Sequence, residues 1–138
     1  MPVKTALTCT PNFWRLEVEA VMTYPDTPPS FNAIGHSGSR WKWTRAKKDW
    51  QENMEVLLMA GKVPRGLRKV TARAVLSFPT KRRRDTVNYR TILEKCLGDA
   101  LVNGRWLEDD TPNEFVFIGV TFAEGPKQTK LILDCEAS

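Results

Sequence analysis

The sequence predicts an α+β domain: a small mixed β-sheet with two helices packed on it, in the order β-loop-α-β-α-β-β. Three observations carry that prediction. Two segments alternate apolar and polar residues with period two, two others repeat apolar residues at three- and four-residue steps, and a C-terminal pair of apolar runs flanks a turn. At 138 residues the chain is long enough to bury a core without disulfides and short for two domains, so one domain over residues 1–138 is expected.

From Trp14 to Met22, apolar Trp14, Leu16 and Val18 alternate with charged Arg15, Glu17 and Glu19, the pattern of a strand with one wet face. The following stretch TYPDTPPSFNAIGHSGSR holds three prolines and two glycines without periodicity and is a long loop, of the kind that carries function in small domains. Trp43, Ala46, Trp50, Met54, Leu57 and Leu58 mark the apolar stripe of a helix that Gly61 can end, with Arg45, Lys47 and Lys48 on its other face. Val70, Ala72, Ala74, Leu76 and Phe78 form a second alternating strand, stopped by Pro79. Tyr89, Leu93, Cys96, Leu97, Ala100 and Leu101 make a second helical stripe closed by Gly104. Finally FVFIGVTF and TKLILDC, joined by AEGPKQ, read as a hairpin.

The charge balance, 21 Lys and Arg against 16 Asp and Glu, is a modest excess of +5, yet the cations cluster at Arg40 to Lys48 and Lys81 to Arg84. Clustered cations point to a polyanionic partner. Three scattered cysteines, Cys9, Cys96 and Cys135, have neither disulfide nor zinc spacing and suit reduced thiols. With no signal segment and no apolar run of membrane-spanning length, the expected location is the cytoplasm.

Chemistry concentrates in KRRRDTVNYRTILEKCLGDALVNGRWLEDDTPN. The cationic block Lys81, Arg82, Arg83 and Arg84 leads into Asp85, and Asp109-Asp110 follows the second helix. Carboxylates hold Mg2+ or Mn2+ in enzymes that hydrolyse phosphodiesters, where the ion polarises the phosphate and acidifies water. Cations beside them would grip the nucleic-acid backbone in a salt-dependent way. Loops at a strand end and a helix end could bring Asp85 and Asp110 together at the sheet edge. Taken alone, a KRRR run is more often a solvated face or a targeting patch, and a DD pair is very often just a turn.

The ordered set PPSFN (Pro28 to Asn32), KRRRD followed by Asn88, LEKCLGDAL (Leu93 to Leu101) and NGRWLEDD (Asn103 to Asp110) closely resembles the RusA family of Holliday junction resolvases, from Leu16 to about Leu133. The resemblance implies a homodimeric, Mg2+-dependent endonuclease of the kind phages and prophages carry, cutting paired strands across four-way or branched DNA. It implies that Asp85 and Asp110 are catalytic metal ligands, Asp109 a less critical neighbour, and Lys95 a lysine near the scissile phosphate. By the same resemblance Asn32 lies near the junction, although a turn-capping role accounts for it equally. With Arg40, Lys81, Arg82, Arg83, Arg84 and Asn88, it makes up the expected DNA contacts.

One position departs from the family pattern. Where the family reads D-x-D-N, this chain reads Asp85-Thr86-Val87-Asn88, and an isopropyl group ligates no metal. The segment between Asn88 and Lys95 is also longer by about four residues, roughly one helical turn. Glu94 is the nearest spare carboxylate, on the face of Val87 but roughly 10 Å along the helix at ~1.5 Å per residue. A branched-DNA-binding protein that has lost catalysis is therefore the rival expectation, with a small structural or RNA-binding α+β domain, whose carboxylates merely form turns, behind it. Trp43 and Trp50 lie on the core stripe, while Trp41 precedes it and remains a candidate DNA contact. His36, the single histidine, sits in the long loop with no partner for metal or nucleophile chemistry.

Overall fold

A computed structural model describes residues 4–12, 15–30 and 40–137, with side chains from residue 17 onward. Seven elements follow one another: β1 (Lys4–Asn12), β2 (Arg15–Tyr24), α1 (Arg40–Ala60), β3 (Leu67–Phe78), α2 (Val87–Asn103), β4 (Phe115–Glu124) and β5 (Gln128–Ala137). The predicted α+β class and the two helices are present. The sheet has five strands in the order β1-β2-β5-β3-β4, mixed because β3 and β4 run parallel while the other pairs are antiparallel.

Register turns the period-two patterns into rows. Val18, Cys135, Val70 and Phe115 are neighbours across four strands. Ala20, Leu133, Ala72 and Phe117 make the next row, then Met22, Leu131, Ala74 and Val120. All these side chains are buried. Both helices lie over this face. Trp50, Met54, Leu57 and Leu58 come from α1, and Ile92, Leu93, Cys96, Leu97, Ala100 and Leu101 from α2. At about 1.5–3 kcal/mol for each large apolar side chain removed from water, these stripes dominate the weak local helix preferences. The opposite face keeps Glu17, Glu19, Arg73 and Asp134 exposed.

Two features differ from the sequence reading. β1 is an additional strand at the sheet edge, within a segment to which no element was assigned. The expected C-terminal hairpin does not form: β3 lies between β4 and β5. The chain crosses the end of β3 through residues 125–127, where the Gly125 amide donates to the Phe78 carbonyl at 3.0 Å. Two strand spacings are roughly 10 Å, within reach of so short an extended link. Turn residues fix where a strand ends, and they leave open which neighbour the next strand pairs with.

Cys96 and Cys135 are free and buried. Burial pushes both thiols up to about 12, with Asp99 and Asp134 respectively adding to the effect. They pack as neutral groups, and the Cys96 thiol donates to the Lys47 carbonyl at 3.3 Å. Among the described residues no helix is long and apolar enough to cross a membrane.

Candidate nucleic-acid interface

At the end of β3, Pro79 ends the ladder and the chain leaves the sheet as an extended strip. Lys81, Arg82 and Arg83 are exposed there, whereas Arg84 is turned inward. Its guanidinium sits 3.8 Å over the Phe78 ring and donates to the carbonyls of Thr80 and Arg82 at 3.2 and 3.3 Å. Phe78 in turn packs with Tyr89 and Phe122, at ring separations of 5.7 and 6.2 Å. Arg84 is thus a clamp that fixes the strip, and its three neighbours are exposed cations without an ion-pair partner among the described residues.

Asp85 then stands two residues before α2. Its carboxylate accepts the Val87 amide at 3.0 Å, and its carbonyl accepts the Asn88 amide at 3.2 Å, satisfying helix-start donors. Arg82 to Thr86, Asn88 and Tyr89 line an open concavity of about 670 Å³ together with Ser30. Ser30 arrives from the Pro-rich loop, more than fifty residues away in sequence. That loop is tied down by Asp26, whose carbonyl accepts Thr129 Oγ1 at 2.7 Å and whose carboxylate lies 3.5 Å from Lys127 Nζ. Part of the PPSFN segment therefore meets the RRRD segment. Asn32, like His36, lies outside the described residues.

The helices contribute to the same end. Lys47 lies beside Cys96 and Glu55 beside Asn103, so α1 and α2 run parallel. Counting back seven residues from the first contact sets Arg40 level with Tyr89. Both helix N-termini, neither with an acid in its first turn, point their positive dipole ends toward the Lys81–Arg84 strip. This is the cationic pole of the molecule.

Asp109 and Asp110 belong to the far end of α2. The chain turns back at Gly104, where an added Cβ would meet the Trp106 ring at 2.0 Å. Trp106 is buried, donates Nε1–H to the Val63 carbonyl at 2.9 Å and lies under Arg65 at 4.4 Å. Beyond it, the Asp109 amide donates to Glu114 at 2.8 Å and the Asp110 amide donates to the Asp109 carboxylate at 2.8 Å. The Asp110 side chain lies against α2 at Gly98, where Oδ2 is 3.3 Å from the position a Cβ would take. Lys95, a turn earlier, pairs with Asp99 at 3.2 Å.

Along α2, Gly98 is eleven residues beyond Val87, roughly 16 Å at ~1.5 Å per residue. The structure thus sets Asp110 against α2 at Gly98, and Asp85 beside Arg82, Arg83 and Arg84. Glu94 pairs with Arg90 at 3.3 Å, and Val87 stands 64% exposed at the start of α2. Among the described residues no three His, Cys, Asp or Glu side chains are grouped to hold a metal ion. Ser30, Gly98 and the clamping role of Arg84 were absent from the sequence reading. A glycine inside a helical stripe was the available signal for Gly98, since it weakens a helix by about 1 kcal/mol relative to alanine.

The chain matches no protein-family model and no curated protein sequence. Among solved structures it is similar to a thiamine-monophosphate kinase from Stenotrophomonas maltophilia, with a TM-score of 0.41 and 13% identity. The alignment covers 93% of this chain and 33% of the kinase, so the chain spans about a third of that protein's length. At that level the likeness carries no functional argument.

Proposed function

We propose that this chain is a RusA-like, structure-specific endodeoxyribonuclease that acts as a homodimer on four-way DNA junctions with Mg2+ or Mn2+. The observation that supports it best is the cationic pole. Two of the four segments that carry the resemblance line one concavity there, beside Lys81, Arg82 and Arg83 and the two helix N-termini. Such an end attracts phosphates through counterion release and helix dipoles without reading sequence, as recognition of a DNA shape requires. Two copies about a two-fold axis would offer one such pole to each of two strands.

Recognition has more support than cleavage. Val87 in place of an expected ligand favours a second reading in which the protein binds branched DNA without cutting it. A labelled synthetic four-way junction separates the two when mobility shift and strand nicking are followed in Mg2+ and then Mn2+. Symmetric nicks that vanish in Asp85→Asn and Asp110→Asn support the nuclease. A shift without nicks, with nicking gained in Val87→Asp, supports the binding protein. Neither shift nor nicks overturns both.

A further inference from the structure

The first turns of α1 have a composition of their own. Residues 40–48 hold Arg40, Lys42, Arg45, Lys47 and Lys48 with two tryptophans, and the first acid is Asp49. The tryptophans are used differently. Trp43 packs against the core and has Lys47 Nζ 5.6 Å from its ring centroid. Trp41 is 62% exposed and lies with Arg40, Thr44, Arg45 and Lys48 along a concave strip whose far end carries Asp49 and Glu52. Positions 41, 45 and 48 are four and seven residues apart, so ring and cations share one helix face. The core stripe of α1 is already filled by Trp50, Met54, Leu57 and Leu58. The Trp41 ring adds nothing to that core.

We infer that Trp41 is a stacking platform for an unpaired nucleobase, with Arg40, Arg45 and Lys48 holding the phosphates on either side of it. An exposed indole offers a flat π-face that any base can cover, and neighbouring cations neutralise the strand that carries the base. Its position fits. Arg40 is level with Tyr89, so Trp41 stands at the same end as the Arg82–Tyr89 concavity, one helix away, a spacing of about 8–10 Å. A strand laid on Lys81–Arg83 would come within reach of Trp41 where its bases lose their stacking partners, as at an open junction centre. In that respect the inference rests on the proposed junction reading and adds that unpaired bases are read on α1.

The test measures affinity by fluorescence anisotropy for three ligands: a short oligothymidine, a blunt duplex and a four-way junction with unpaired thymines at its centre. Trp41→Ala weakens binding to oligothymidine and to the open junction about tenfold, the size expected for one lost base stack. It leaves duplex affinity and the salt dependence unchanged, because no phosphate contact is removed. Trp41→Phe keeps most of the affinity, and melting curves match the parent for both variants. Equal loss on all three ligands, no loss on any, or a parent protein that ignores oligothymidine overturns the platform. A parent that binds oligothymidine through Trp41 yet ignores junctions keeps the platform and removes the junction reading. A parent that binds the open junction with no change in Trp41→Ala does the reverse.

Discussion

The two ends of α2 use charge in opposite ways. At its start, Lys81, Arg82 and Arg83 stand in solvent on a strip held by Arg84, with Asp85 directly after them and Glu124 across from Phe78 at the end of β3. At its finish, Glu108, Asp109, Asp110 and Glu114 follow a turn welded by a buried tryptophan, and the Asp110 carboxylate is pressed against a helical glycine. The first end is exposed to solvent. The second is fixed by packing and keeps its acids in one arrangement. Residues that look like one acid-and-cation cluster in the sequence are therefore two regions with separate mechanical support, and each can be disturbed without the other.

The largest expected effect comes from the acidic end. Trp106→Ala removes a fully buried ring and the partner of the Val63 carbonyl, and is expected to destabilise by about 3–5 kcal/mol in urea unfolding. Lys81→Ala, an exposed change, should stay within about 0.5 kcal/mol. Similar values for the two would end the contrast between a welded and an open region.

Next in size is the salt response of the cationic end. Replacing Lys81, Arg82 and Arg83 together by alanine should lower the slope of log affinity against log salt by about 2–3, close to one unit for each lost phosphate contact. Arg84→Ala should instead lower stability by about 1 kcal/mol, through the Phe78 contact and two carbonyl bonds, with little change in slope. A slope that moves as much for Arg84→Ala as for one of its neighbours would make Arg84 a DNA contact rather than a clamp.

Much of this was legible in the residues, and what was not has physical causes. The alternation in β2 and β3 and the stripes in α1 and α2 are set by burial on one face, so they survive into the structure with their ends within a few residues. β1 is threonine-rich, carries Pro11 and lacks a clean alternation, as an edge strand tolerates. The neighbours of β5 depend on which edge of β3 was vacant, which no local pattern records. That the two ends of α2 stand apart was in principle readable: a helix of 17 residues holds its ends roughly 25 Å apart. The sequence could not show that the chain returns along α2 as far as Gly98. That depends on Trp106 and Leu107 both donating to the Leu101 carbonyl.

The smallest expected effect is the most diagnostic, because it asks what the acid that follows the cationic strip is for. Asp85 accepts the Val87 amide, and asparagine can accept it equally well, so Asp85→Asn should keep stability within about 0.5 kcal/mol while Asp85→Ala loses about 1 kcal/mol. The same Asp85→Asn change removes a negative charge beside Arg82 and Arg83, so DNA should bind slightly tighter at low salt, by a factor that fades as salt rises. If binding tightens and nicking disappears together, the carboxylate serves chemistry at the expense of grip. If binding tightens and a non-cutting protein stays non-cutting, Asp85 is a helix cap in a DNA-binding surface, and the acids at the far end of α2 owe nothing to it.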